Sequence, residues 1–208
     1  MRAAVFVVLL GVFGVERAQA QTMGPTPPPV VVQQAPVEHH TGLFLLGDFS
    51  ASGHSSDWDG GGRIAGGGLG LRVAAGVRVT PQVSLFAGAS GFESNQVTIE
   101  QGGVAVETDQ ITLQAGSLFL GARLYTPAEL YFEGTVGTLG QTWRDARAGQ
   151  SWASDPGVIT TLGVGKEWFL LSGLRLGFGG RIGIGSVPAP VGPNHKVGHF
   201  DLCISLGY

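Results

Sequence analysis

The chain has 208 residues, a formal net charge of −3 and only 13% charged residues, set against 36 glycines and a mean hydropathy of +0.24. So few charges exclude a disordered, self-solvating chain, and the lack of a basic cluster excludes nucleic acid as a partner. Beyond residue 20 no apolar run approaches the roughly 20 residues of a membrane-crossing helix, so the apolar content is spread over short segments.

Met1 and Arg2, the apolar stretch Ala3 to Val15 and the small-x-small triplet Ala18-Gln19-Ala20 read as an export signal over residues 1–20, with a mature chain from Gln21. The apolar core, about 13 residues long, is short for an uncleaved anchor. Residues 21–40 form a lead-in in which Pro27-Pro28-Pro29 favours extended polyproline II over a packed element. A ligand segment for a partner domain is the functional alternative. Glu38, His39 and His40 have no sequence partners that would make a metal site.

From residue 41 to 208 the pattern changes to alternation with period two, the signature of strands with two unlike faces. Eight segments are expected, of about 9 to 13 residues each. In the first, Leu43, Leu45 and Phe49 oppose Asp48 and Ser50. In the second, Leu69, Leu71, Val73, Ala75, Val77 and Val79 alternate with Gly70, Arg72, Ala74, Gly76, Arg78 and Thr80. Folding about Thr80-Pro81-Gln82 sets Val77 against Leu85 and Ala75 against Ala87, all on one face. The third segment runs from Val83 to about Phe92. Residues 97–107 read as a hairpin tip around Gly102-Gly103.

In the fourth segment Leu118, Leu120, Ala122 and Leu124 share one parity, whereas Ile111 and Leu113 take the other. A bulge near Ala115 to Ser117, or a strand leaving the membrane there, accounts for the switch. The fifth sets Phe132, Gly134 and Val136 against Tyr131, Glu133 and Thr135. The sixth sets Leu162, Val164 and Trp168 against Thr161, Gly163, Gly165 and Glu167. The seventh sets Leu174, Leu176, Phe178, Ile182 and Ile184 against Arg175, Gly177, Gly179, Arg181, Gly183 and Gly185. The turns near 81, 128 and 172 are short. The alternate connections, 52–65, 93–109, 141–157 and 188–196, are longer.

The strand charges decide the architecture. Asp48, Arg72, Arg78, Arg123, Glu133, Glu167, Arg175, Arg181 and Asp201 all fall on the face opposite the apolar stripe. Folding about Ala128 sets Arg123 opposite Glu133, and folding about Leu171 sets Glu167 opposite Arg175; Asp201 falls near Arg181. Opposed signs are what an enclosed polar core requires, because an unpaired buried charge costs several kcal/mol. The inward glycines make room for these long side chains. Lys166 has outward parity and is expected to snorkel beside Trp168.

The eighth segment alternates strictly: Phe200, Leu202, Ile204, Leu206 and Tyr208 on one face, and Asp201, Cys203, Ser205 and Gly207 on the other. Cys203, the single cysteine, has no partner for an intrachain disulfide and reads as a small buried hydrophobe. A closing strand that ends on an aromatic resembles the terminal strand of bacterial outer-membrane β-barrels. Over residues 41–208 the chain resembles the small OmpA/OmpX-type membrane barrels, without the peptidoglycan-binding domain of OmpA. That resemblance implies an all-β, eight-stranded antiparallel up-and-down transmembrane β-barrel in the outer membrane of a Gram-negative cell. Residues 21–40 would then be periplasmic, with short turns inside the cell envelope and long connections outside. It further implies contact with outer-membrane lipid and lipopolysaccharide, a monomer, and a barrel-insertion machinery that reads Phe200 to Tyr208, with Trp168 in the aromatic belt.

An eight-stranded barrel is only wide enough for its own side chains, so a polar, plugged interior and a structural or cell-surface role are expected, with no cofactor, no metal and no catalysis. Two alternatives stay open. One is a narrow small-solute channel. The other is a lipid-modifying enzyme using rim residues, for which the first long connection offers His54, Ser55, Ser56, Asp57 and Asp59 and the second Glu93 and Ser94.

Overall fold

The computed structural model describes residues 42–58, 61–171, 173–188 and 194–208. The export signal and the Pro-rich lead-in lie outside the described residues. Ten strands are formed: β1 (Gly42–Trp58), β2 (Gly62–Arg78), β3 (Val83–Gln101), β4 (Val104–Thr108), β5 (Ile111–Tyr125), β6 (Leu130–Asp145), β7 (Gln150–Ala153), β8 (Gly157–Leu171), β9 (Leu174–Val187) and β10 (His195–Gly207). Eight of them make the wall. The ladder runs β2-β1-β10-β9-β8-β6-β5-β3, and pairing of β2 with β3 closes it into an antiparallel ring. β4 and β7 are short extensions hydrogen-bonded to β3 and β6. Closure leaves no open edge around the wall, so its backbone polar groups are satisfied within the ladder.

The turn about Pro81 gives the expected register, Val77 against Leu85 and Ala75 against Ala87. Val79 N donates to Val83 O, and the Thr80 hydroxyl accepts from Val83 N, so the donorless proline removes nothing. At the other end, Gly102 and Gly103 both have positive φ (60° and 82°), as a two-residue I′ turn demands.

The strands are longer than the alternation indicated, 13 to 19 residues along the wall. The expected loop 52–65 is mostly strand: β1 continues to Trp58 and β2 resumes at Gly62, with Ser52 against Gly68 and Ser56 against Ile64. Period two faded there because both faces become small or polar. At 97–107 the expected hairpin around Gly102-Gly103 is formed, and at 141–157 strand, a tight tip and a returning strand replace the expected loop. At residues 146–149 the tip is held by Asp145 Oδ1, which accepts from Arg147 N and Ala148 N.

No bulge occurs near Ala115 to Ser117. β5 stays in unbroken register with both β3 and β6, and Leu113 points inward, fully buried. What changes is the interior. Low in the barrel the exposed side chains are apolar (Leu43, Leu45, Leu71, Leu118, Leu120, Phe178, Ile182, Ile204), whereas the buried ones include Asp48, Arg72, Arg123, Glu133, Glu167, Arg181 and Asp201. Toward the long-connection end the order reverses. Phe92, Val97, Leu113 and Trp143 pack inside, joined by Leu139, Ile159, Val187 and Val197. Glu93, Asn95, Thr98 and Glu100 face out. Several strands, β3, β5, β6 and β10 among them, therefore exchange their apolar face partway along their length, β3 through a register break with β2 between Gly67 and Leu69. Of the two expectations for the parity switch, strand leaving an apolar surround fits the observed continuity.

Candidate functional site

The lower lumen holds one connected ionic network. Beginning on β10, Asp201 Oδ2 accepts from Arg181 Nε of β9 (3.2 Å), and Arg181 Nη1 donates to Asp48 Oδ2 of β1 (2.5 Å). Arg72 Nη1 on β2 donates to the same Asp48 oxygen (3.3 Å) and across the lumen to Glu133 Oε1 on β6 (2.6 Å). Arg123 on β5 donates from Nε to Glu133 Oε2 (2.6 Å) and from Nη1 to Glu167 Oε1 on β8 (2.5 Å). Every wall strand except β3 contributes a charge, and β3 contributes Phe86, over whose ring sits the Arg72 guanidinium (5.3 Å). Arg72 also lies over Phe119 (4.4 Å) and Arg123 over Tyr131 (4.2 Å). Charge-assisted bonds of this kind hold buried ions only because each cation has a carboxylate in reach.

Arg175 departs from the expected register. Gly173, with φ of 91°, carries the turn, and a register break between Phe169 and Leu171 places Arg175 opposite Phe169 and Glu167 opposite Gly177. Arg175 Nη1 still reaches Glu167 Oε2 diagonally at 3.6 Å. Arg123 is the nearer partner of Glu167.

The inward glycines serve more than the charged residues. A Cβ at Gly163 would meet Arg181, but one at Gly165 or Gly179 would meet the phenol of Tyr131, which is 2% exposed. Tyr131 is thus seated in a notch cut from β8 and β9. Its inward parity was readable from the sequence; its seat required the register. The aromatic floor beneath Arg72, formed by Phe44, Leu46, Ala74, Phe86 and Phe119, also went unread, because those residues share the inner face with the charges.

Above the network, a chain of short polar contacts links β1 and β10. Ser50 Oγ lies 2.8 Å from Ser52 Oγ, Ser52 donates to Asp201 Oδ1 (2.5 Å), and His199 Nε2 lies 2.9 Å from the same oxygen. The aspartate sits between serine and histidine, so the imidazole is not placed to take the serine proton. His54 is buried, stacked on Phe92 (5.6 Å between centroids) and hydrogen-bonded to Gln141.

The residues considered for rim catalysis are divided between the two faces. His54, Ser56 and Ser94 are buried inside, whereas Asp57 pairs with Arg63 on the outer face (3.4 Å) and Glu93 accepts from Gln114 outside (2.8 Å). Asp59 lies outside the described residues. Among the described residues no group of three or more His, Cys, Asp or Glu side chains is arranged to hold a metal. A void of about 60 Å³ lies among Ser52, His54, Arg72, Phe92, His199 and Asp201, room for a few waters.

On the outer wall, Phe200, Leu202, Ile204, Leu206 and Tyr208 are exposed in one row. Trp168 is exposed beside Lys166, whose Nζ is 5.7 Å from its ring centroid. Cys203 is buried and free, its thiol donating to Gly179 O (3.4 Å).

No protein-family model and no curated protein matches the chain in sequence. Among solved structures, it is similar to Neisserial surface protein A (NspA), with 13% identity, 79% of this chain and 95% of that one covered, and a TM-score of 0.59. Looser likeness extends to Ail, the attachment invasion locus protein of Yersinia pestis (11% identity, 81% and 100% covered, TM-score 0.49). It extends also to the outer membrane protein OprG from Pseudomonas aeruginosa (18%, 82% and 97%, TM-score 0.46). At such identities the likeness to the Neisserial protein shows a shared fold and nothing of a shared role.

Proposed function

We propose that the chain is an integral outer-membrane β-barrel, exported through residues 1–20, with a sealed interior and a structural or cell-surface role carried by its outer hairpins. One observation carries this reading: the ring is closed, hydrocarbon side chains cover its outer wall, and ionised ones are enclosed. Water outside would leave that wall unburied, whereas lipid satisfies it. The apolar rows Leu43 to Ala51 and Leu176 to Ile184 are each about nine residues long, close to what a strand tilted near 45° needs to cross. The fold shared with a Neisserial surface protein supports the same location.

Outer-membrane lipid and lipopolysaccharide then contact the belt, with Lys166 and Trp168 at its periplasmic margin, and Phe200 to Tyr208 serve as the signal to the insertion machinery. The cross-lumen pair Arg72 to Glu133 and the small void above it favour a plug over a pore. The protein acts as a monomer without cofactor, metal or catalysis.

Two measurements test this. Folded in detergent, the protein should migrate differently before and after boiling on a denaturing gel, and unchanged mobility would count against a closed barrel. Reconstituted in planar bilayers, it should give no current above baseline; steady single-channel steps would replace the sealed interior with a channel.

A further inference from the structure

We infer that the void within the lumen is a binding site for one small monovalent inorganic anion of the halide class, held by hydrogen-bond donors from several sides of the barrel. The inference rests on the sealed-interior reading above only for the ion's seclusion from bulk water.

The void is bordered by Arg72 and Arg181 of the ionic network and by His54, Phe92 and His199. What decides its occupant is the hydrogen-bonding capacity left over around it. Asp201 has little to spare, since Oδ1 takes Ser52 and His199 and Oδ2 takes Arg181. The hydroxyl hydrogen of Ser52 is spent on that carboxylate, so in the contact between Ser50 and Ser52 it is Ser50 that donates. Asp48 Oδ1 is a buried carboxylate oxygen without a partner, but Asp48 does not border the void.

Four donors remain. Arg72 is 5% exposed, and its Nη2 has no partner. His54 is 4% exposed, and its Nδ1 has none either. Gln141 fixes which ring nitrogen holds the hydrogen. Ser56 Oγ donates to Gln141 Oε1 (3.5 Å), which turns the carboxamide NH2 toward His54 Nε2. Nε2 therefore accepts, and Nδ1 is the donor. The other two donors come from hydroxyl pairs that border the void, Ser90 with Ser117 (2.7 Å) and Thr135 with Thr161. Within each pair one hydroxyl hydrogen makes the bond and the other is left to give.

A water placed there would take up two of these donors but bring two hydrogens of its own, and the carboxylate that borders the void is already engaged. An anion only accepts. Charge points the same way: Arg72 and Arg181 border the void as cations, with Asp201 as the one bordering anion, because Asp48 and Glu133, which bind those guanidiniums, lie outside its lining. A halide ion is about as large as a water molecule, a size that the roughly 60 Å³ of the void admits.

The test uses the full chain folded from urea into lipid bilayers, with sodium bromide exchanged for sodium gluconate, a bulky organic salt, at constant ionic strength. A ligand that binds the folded protein alone lowers the unfolding constant by mass action, and bromide in place of gluconate should lower it about tenfold. Crystals grown in bromide should show its anomalous scattering inside the void. His54→Phe keeps the stack on Phe92 while removing the Nδ1 donor, and should weaken the bromide effect about fivefold. Ser117→Ala leaves Ser90 with a hydrogen to give, and should change the effect by less than about twofold.

An unfolding constant indifferent to bromide, or anomalous scattering at the protein surface alone, would overturn the inference and leave the void to water. So would a full bromide effect in His54→Phe, or a loss in Ser117→Ala as large as in His54→Phe. Should His54→Phe fail to fold, the anomalous map of the unmutated protein decides. Steady single-channel steps with the bromide effect intact would remove the sealed reading and leave this site standing, whereas silent bilayers without a bromide effect would remove the site alone.

Discussion

Arg123 and Glu133 face each other across β5 and β6, their Nε and Oε2 atoms 2.6 Å apart and each side chain only 1% exposed. Neither ion has water to fall back on. The same glutamate accepts from Arg72 on the far wall, so the pair also ties two sides of the ring together.

Arg123→Ala would leave Glu133 and Glu167 short of a cation inside the barrel. A cost of about 3–5 kcal/mol is expected in urea unfolding of the lipid-reconstituted protein. Arg123→Met combined with Glu133→Gln should recover part of that loss, because one of the two carboxylates is neutralised while Glu167 keeps Arg175 at 3.6 Å. A double variant as unstable as the single one would mean that geometry, not charge compensation, dominates the site.

Gly179→Ala places a methyl against the Tyr131 hydroxyl and should destabilise by about 1–3 kcal/mol, the usual cost of overpacking. Tyr131→Phe removes the obstructing oxygen and should rescue part of it. Gly165→Ala, whose methyl would meet the ring carbon and the Phe178 carbonyl as well, should be rescued less. Additive effects in this double-mutant cycle would show that the tyrosine is not seated as described.

Leu120 and Val104 are both 65% exposed, so accessibility alone cannot rank them. Leu120→Arg should cost about 2–4 kcal/mol in lipid, as a charge on the hydrocarbon face near mid-membrane does, and Val104→Arg at the outer hairpin about 0–1 kcal/mol. Indistinguishable unfolding curves for the two variants would remove the grounds for a lipid-facing wall.

Leu113→Ala opens the apolar cluster beside Phe92, Val97 and Trp143 and should cost about 2–5 kcal/mol. Gln114→Ala, one position along and facing outward, should stay within about 0.5 kcal/mol. The contrast checks that the outer end of the barrel is held from within by hydrocarbon.

How much could be read without coordinates follows from the same polarity. Alternation works where the two faces differ, as along Leu174 to Ile184 and Phe200 to Tyr208, and there both strand and facing were legible. The inward placement of Arg123 opposite Glu133 followed from one short turn. The turn lies beside Gly173 rather than at Leu171, so Gly177 and not Arg175 stands directly opposite Glu167, although the expected pair still meets diagonally at 3.6 Å. Between Ser52 and Ala65 both faces are mostly small or polar, so period two fades and the segment reads as loop. The contacts of Ser52 with Asp201, of His54 with Gln141 and of Tyr131 with its glycine notch join residues distant in sequence. No local pattern encodes them.

The exchange of apolar faces partway up several strands has a mechanical consequence. A cylinder greasy outside along its whole length could ride up or down in a bilayer at little cost. Here, sinking would drag Glu93 and Asn95 into hydrocarbon, and rising would lift Leu118 and Ile184 into water. In the proposed membrane setting the molecule would thus carry its own waterline, with its outer hairpins at a fixed height above the lipid surface.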